Sequence, residues 1–308
     1  MADKWVTVMG TFVADLAFRT QQLPAWGQTI MGTEFRLGPG GKGSNQAVAA
    51  ARLGGKVSFI SKLGRDAFGD LARDTYKAEG IDTEFCFETT ECATGAASII
   101  VHATKGENAI VVVPGAGFRL TGEEIDRAVS RIRQSSVFVT QLEVSLAAVE
   151  HGLALARRLG VSTILNPAPA TELPDRIYPL CDYLSPNESE AAGLMGQPVT
   201  NLDEAERAAA ALLARGVRNV VITLGAQGAL VKNARVTQHV AAFDAGPVVE
   251  TTGAGDAFNG GFAIGLSEGM DLVEAARFGC AAAGISVTRY GTAPAMPSRA
   301  EVDALLRR

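Results

Sequence analysis

Val248-Val249-Glu250-Thr251-Thr252-Gly253-Ala254-Gly255-Asp256-Ala257-Phe258-Asn259-Gly260-Gly261-Phe262-Ala263 runs from an apolar pair through a glycine-rich turn into a helical pattern. The two glycines flanking Ala254 let the backbone turn its N–H groups inward, and a helix start adds unpaired donors and the positive end of a dipole. One reading is therefore a cradle for phosphate, with Asp256 placed as base or orienting group for an attacking hydroxyl. The other is a plain strand-to-helix turn in which Asp256 is the N-cap. The segment alone leaves both open.

Moving outward, strand-like runs (Trp5–Met9, Val57–Lys62, Val137–Gln141, Ser162–Leu165, Asn219–Leu224) alternate with helical patterns. The helical patterns are Ser44–Leu53, Ala67–Glu79, Leu146–Leu159, Leu202–Leu213, Asp256–Ser267 and Leu272–Val287. This order predicts an α/β fold with a mostly parallel central sheet between covering helices, in a single domain over residues 1–308. Thr121 with Glu124 forms a capping-box pattern, and Gly160 and Gly216 are plausible helix stops. Two stretches break the alternation. Asp15–Arg19 with Gly32–Leu37, and Ala96–Val101 with Ala109–Val113 turning through Thr104–Asn108, read as extra strands, inserted at about 14–38 and 94–114. We expect them to form a small β-sheet lid or oligomer surface, the alternative being two extra edge strands of the main sheet.

Composition narrows the function classes. The 308 residues are 47% hydrophobic with a formal charge of −5, which supplies a sizeable core and no basic footprint for nucleic acid. No 18-residue apolar span or signal core is present, so neither a membrane partner nor export is expected and the cytoplasm is. The four cysteines (Cys86, Cys92, Cys181, Cys280) form no CxxC pair, and the three histidines (His102, His151, His239) lack zinc spacing.

Several segments invite ligand chemistry. Leu37-Gly38-Pro39-Gly40-Gly41-Lys42-Gly43-Ser44-Asn45-Gln46-Ala47 fails as a Walker A loop, because Arg36 stands at the first glycine position and Gly43 follows Lys42. It satisfies GxGxxG, but not as a first βα unit with an acidic residue ending the next strand. A third reading has close-approaching backbone, Lys42 and Asn45 gripping a polyhydroxylated ligand, with Asp15 and Glu143 as acceptors at strand ends. Asn187 and Glu190, one turn apart, are either a capping box or a hold on hydrated Mg²⁺. Thr223-Leu224-Gly225-Ala226-Gln227-Gly228 is a tight turn that admits a flat or anionic group.

Together these pieces resemble the PfkB carbohydrate kinases, most closely the ribokinases. The two signatures are Gly40–Ala47 and Thr252–Phe258, joined in order by Gln141-Leu142-Glu143, Asn166-Pro167-Ala168-Pro169-Ala170, Pro186-Asn187-Glu188, Thr223-Leu224-Gly225 and Ser286–Gly291. The resemblance implies a ribokinase-like three-layer sandwich with a β lid, and ATP-dependent phosphorylation of a sugar's primary hydroxyl. It implies Asp256 as catalytic base, with Gly253, Ala254 and Gly255 as the anion hole. Asp15, Gly41, Lys42, Gly43, Asn45 and Glu143 would hold the sugar. Asn187, Thr223, Leu224, Gly225, Ala226, Gln227, Gly228, Gly255 and Cys280 would serve the nucleotide, and Glu190 would place Mg²⁺. A K⁺ site would comprise Glu250, Thr252, Ser286, Arg289, Gly291 and Ala295. A homodimer through the lids, burying Phe35, Ile99, Val101 and Val111, also follows.

Three departures accompany the likeness. Val13 stands where ribokinases usually carry Asn, which weakens discrimination for a sugar hydroxyl by roughly 1–3 kcal/mol and brings 2-deoxyribose into range. Glu250 replaces the usual Asp of the cation site, and Ala295 a frequent Ser. A nucleoside kinase and a non-catalytic sugar sensor are the competing functions, and the joint presence of Asp256, its glycines, Asn187 and Glu190 speaks against the sensor.

Overall fold

The computed structural model describes residues 5–104 and 108–308. Among them the strands fall into two sheets. The larger contains β1 (Trp5–Met9), β4 (Lys56–Gly64), β5 (Cys86–Thr89), β8 (Ser135–Thr140), β9 (Ser162–Leu165), β10 (Tyr183–Leu184), β11 (Asn219–Thr223), β12 (Ala229–Lys232) and β13 (Thr237–Val240), in the order β13-β12-β11-β10-β9-β8-β1-β4-β5. Its pairings are parallel except at the β11–β12 and β12–β13 edge. The smaller contains β2 (Val13–Thr20), β3 (Glu34–Gly40), β6 (Thr94–His102) and β7 (Asn108–Gly115), in the order β3-β2-β6-β7.

The parallel strands are buried on both faces, and their apolar residues divide by the two-residue period. Val8, Phe59, Val139, Ile164 and Val221 point into one core cluster, while Met9, Ile60, Phe138, Leu165 and Ile222 point into the other. Helices Lys42–Arg52, Ala254–Ser267 and Leu272–Ser286 cover the first face, and Leu146–Arg158 and Leu202–Ala214 cover the second. The result is the predicted three-layer arrangement with a separate small sheet. The two insertions pair with each other, β2 with β6 in parallel register, and not with the edge of the main sheet.

Some expectations shift in detail. The helix expected over Ser44–Leu53 begins at Lys42, and that expected from Asp256 begins at Ala254. No strand leads into the latter: Val248 and Val249 are exposed, and the amides of Val249 and Glu250 instead donate to the Val287 carbonyl at a helix end. The hairpin pairs as Ile99 with Ile110, although residues 105–107 of its turn lie outside the described residues. The Thr121–Glu124 capping box is present, and Gly160 and Gly216 follow their helices at φ +75° and +105°.

Candidate active site

Strands β1, β8, β9, β10 and β11 run parallel, so the segments that follow them meet at one end of the sheet, where open α/β folds bind ligands. Those segments carry Thr11, Gln141 and Glu143, Asn166, Ser185 and Asn187. Two helix N-termini join them. One is opened by Gly41 (φ +87°), where any Cβ would lie 2.7 Å from the Thr11 carbonyl; the other is opened by Gly253 (φ +82°).

Asp256 is the third residue of its helix and not its cap, which removes the capping alternative. Its carboxylate is buried, and it accepts hydrogen bonds from Asn45 Nδ2 at 2.9 Å and Gln46 Nε2 at 3.0 Å. Burial pushes its pKa up, against the pull of Lys42, Asn45 and Gln46. A helix N-terminus favours the ionised carboxylate and so a weaker base; desolvation acts the other way and dominates. In the turn before it, the Ala254 amide donates to the Thr251 carbonyl at 3.2 Å, whereas the amides of Gly253 and Gly255 find no acceptor among the described residues. A Cβ built on Gly255 would meet nothing within 4 Å, so this glycine faces open space.

Lys42 lies among carboxylates. Burial disfavours its charge, but Asp256, Glu143 and Glu190 outweigh that and raise its pKa. Glu143 Oε2 accepts both Thr11 Oγ1 (2.6 Å) and the Lys42 amide (2.8 Å), and burial raises its pKa too. Asp15 was expected at the end of the first strand; it belongs to β2 in the small sheet, opposite Gly38. Thr292 Oγ1 donates to Asp15 Oδ2 at 3.2 Å, and burial lifts the Asp15 pKa to about 6. Gly43 packs so closely on Gly10 that a Cβ would lie 2.6 Å from the Gly10 Cα. Asn45 Oδ1 is buried without a donor, an acceptor suited to a ligand hydroxyl. Val13 is buried yet joins neither core cluster.

Asn187 and Glu190 form the reciprocal capping box: Asn187 Oδ1 accepts the Glu190 amide at 2.8 Å, and Glu190 Oε2 accepts the Asn187 amide at 2.9 Å. Glu190 is nonetheless buried, and both Lys42 and Asp256 act on its charge. Asn187 also bridges to Thr223, which brings the 223–228 turn alongside. There Gly225, Ala226 and Gln227 are exposed, while Leu224 is buried in the core. Cys280 is also buried, its thiol pushed up to about 12.

Glu250 Oε2 accepts the Gly291 amide at 2.9 Å, closing the loop of the expected cation site. Ser286 Oγ is committed to the Ala283 carbonyl, the Arg289 side chain pairs with Glu301, and Ala295 is buried in a short 3₁₀ turn. The Arg36 guanidinium of β3 stacks 5.3 Å from the Tyr290 ring centroid, and Thr292 Oγ1 also donates to the Pro39 carbonyl, so with the bond to Asp15 this loop touches the small sheet three times. At the far end of the helix bearing Lys42, Arg52 Nη1 donates to the carbonyls of Pro294 and Met296, both at 3.0 Å.

Sequence reasoning missed Gln46, Thr11 and Thr292 as individual contributors. Gln46 adjoins Asn45 in a quoted motif, so the signal was present; Thr292 carried none, being 277 residues from the carboxylate it holds.

The three-layer α/β chain with its small second sheet carries a buried carboxylate at a glycine-opened helix, and its likeness to known proteins defines the class, an ATP-dependent sugar kinase. The chain belongs to the pfkB family of carbohydrate kinases, whose model matches residues 3–299. It is 40% identical to the ribokinase of Haemophilus influenzae over 97% of both chains, and 38% identical to the deoxyribokinase of Salmonella typhi over 95% of both. The structure of Arabidopsis thaliana ribokinase complexed with ribose and ATP superposes with a TM-score of 0.93 at 29% identity, covering 99% of each chain.

Proposed function

We propose that the protein transfers the γ-phosphoryl group of ATP to the primary (5-) hydroxyl of D-ribose, yielding ribose 5-phosphate and ADP. The observation that carries this reading is Asp256, held by Asn45 and Gln46 beside Lys42 and next to a turn whose Gly253 and Gly255 amides find no acceptor among the described residues. Asp15, Gly41, Lys42, Gly43, Asn45 and Glu143 hold the sugar hydroxyls. Asp256 takes the hydroxyl proton as the new O–P bond forms and the bond to the bridging oxygen breaks, its electron pair leaving with ADP. The amides of Gly253 and Gly255 offset charge on the equatorial oxygens, with Ala254 shaping the turn. Asn187 and residues 223–228, Leu224 through its backbone only, would hold the nucleotide together with Cys280.

The carboxylates Asp15, Glu143, Glu190, Asp256 and Glu250 stand against the ammonium of Lys42, so a triphosphate requires further positive charge. Mg²⁺ would supply that charge, and Glu190, buried within reach of the charges of Lys42 and Asp256, would hold it. K⁺ would be held by Glu250, whose Oε1 has no donor among the described residues, together with Thr252, Ser286, Arg289, Gly291 and, through its backbone carbonyl, Ala295. On the small sheet, register places Phe18, Phe35, Leu37, Val111 and Val113 on one exposed face, which supports a homodimer. Of the residues expected there, Phe35 and Val111 lie on that face and are exposed, whereas the register turns Ile99 and Val101 to the opposite face, where they are half-buried. No helix among the described residues is long and apolar enough to cross a membrane. The four cysteines are unpaired, which supports a reducing cytoplasm.

One observation favours a second reading: Val13 offers no hydrogen bond where a hydroxyl partner is expected, and a deoxyribokinase is among the relatives. A coupled ADP-release assay with ribose, 2-deoxyribose, fructose and a nucleoside, with Mg²⁺ and with or without K⁺, tests both. Ribose should give the highest kcat/KM. A higher value for 2-deoxyribose would replace the first reading with the second, and turnover of the nucleoside alone would remove both.

A further inference from the structure

Behind Asp256 runs a chain of buried amides whose polarity is fixed from its far end. The Ser185 carbonyl can only accept, so the group facing it at 2.9 Å is Asn166 Nδ2. Asn166 Oδ1 is then an acceptor and requires a donor, which is Gln46 Nε2 at 3.1 Å. The same Nε2 has a second hydrogen, and it goes to Asp256 Oδ1 at 3.0 Å. Gln46 Oε1 must accept in turn, and Gln141 Nε2 donates to it at 2.6 Å. Gln141 Oε1 is left buried without a partner, facing the backbone of Gly10 and Gly43.

That unpaired carbonyl is informative. Reversing Gln141 would present Oε1 to Gln46 and force Gln46 to turn as well. Gln46 Oε1 would then face both the Asp256 carboxylate and Asn166 Oδ1, two acceptors. The chain accepts one orphaned acceptor at its remote end to keep N–H groups aimed at Asp256. Asn45 repeats the pattern, spending Nδ2 on Asp256 Oδ2 while its own Oδ1 is buried and unpartnered. Ser185 also reaches the phosphate turn: its hydroxyl donates to Asn259 Oδ1, and Asn259 Nδ2 donates to the Gly255 carbonyl at 2.8 Å.

We propose that Gln46 is a positioning residue for phosphoryl transfer, locked in one orientation by Gln141 and Asn166 so that it holds the Asp256 carboxylate ionised and aimed before the sugar arrives. Gln46 touches neither sugar nor nucleotide in this scheme; it acts through Asp256. This rests on Asp256 being the base, so the test separates the two claims.

The experiment measures kcat, sugar KM and the pH dependence of kcat in Gln46→Met, Gln141→Leu and Asp256→Asn, with circular dichroism and thermal melting to confirm folding. Gln46→Met should lower kcat about 10²-fold. Sugar KM should stay within about threefold, and the acid limb of the kcat profile should move up by about one pH unit, because a hydrogen bond to the charged form is lost. Gln141→Leu, two side chains removed from Asp256, should give the same signature in smaller measure by freeing Gln46 to turn. If Gln46→Met does not fold, the Gln141→Leu profile decides alone. An unmoved acid limb in the folded variants overturns the positioning role, as does a loss confined to KM. Near-normal turnover in Asp256→Asn instead overturns the base assignment itself, whatever the glutamine variants show.

Discussion

Strand β2 serves two unlike regions. Asp15 projects from it toward a site where carboxylates and amides are bound into a buried network, while Phe18, on the opposite face by the two-residue alternation, is 40% exposed beside Phe35. The site is assembled by the fold alone: Asp256, Glu143 and Glu190 already have their protein donors. The outer face of the small sheet is the reverse, with Phe35 54% and Val111 69% exposed and no covering element among the described residues. The contrast separates preorganised chemistry, whose cost was met in folding, from surface that gains only when something binds it.

The sharpest way to break the comparison is Asp256→Asn. An isosteric amide keeps the volume but cannot take a proton, so turnover should fall by about 10³-fold or more with sugar affinity little changed. Activity near that of the parent in an ADP-release assay would mean that the buried network is structural only. A smaller effect is expected on the exposed face. Phe35→Glu with Val111→Glu should shift the mass in light scattering from dimer to monomer, with the fold retained; an unchanged mass, dimeric or monomeric, would detach that face from assembly.

The smallest effect concerns Asp15, which bridges the two regions. Its carboxyl titrates near 6 in the folded chain against 3.8 ordinarily, so the ionised form carries the cost of burial. The sign follows: folding is penalised above pH 6, and the penalty fades as pH falls through 6 toward 4. Asp15→Asn should therefore stabilise the unliganded protein at pH 8 by up to about 3 kcal/mol, with the gain shrinking on acidification. In the parent, sugar KM should rise below about pH 6 as the acceptor protonates. Melting curves and KM values across pH 5–8 check both, and a gain independent of pH would assign the effect to packing.

Much of the fold was legible because parallel strands buried on both faces are continuous apolar runs, as in Trp5–Met9 and Val137–Gln141. Short pieces escaped. Cys86–Thr89 and Thr237–Val240 are four-residue edge strands without clear alternation, and only pairing identifies them. In the site, Asp256, Asn45 and Lys42 were marked by glycines, which leave a local trace wherever backbone must approach closely. Thr292 left none, and Gln141 and Asn166, though within segments that carry the resemblance, gave no sign of their bonds to Gln46, because a hydrogen bond between distant segments imposes no pattern on either. The capping reading of Asn187 and Glu190 is borne out by the box, and the ligand reading belongs to the proposal, supported by burial of the same Glu190 carboxylate in the field of Lys42.

Arg52 places a constraint of another kind on the molecule. The eleven-residue helix Lys42–Arg52 presents Lys42, Asn45 and Gln46 at one end and grips the Pro294 and Met296 carbonyls at the other, close to the loop that carries Thr292. It is a ruler of about 16 Å. Inserting or deleting one residue would swing everything beyond it by about 100°, detaching Arg52 from its carbonyls or turning the site residues away. Among descendants of this chain, that helix, buried from Gly43 through Ala50, is bound to keep its number of residues.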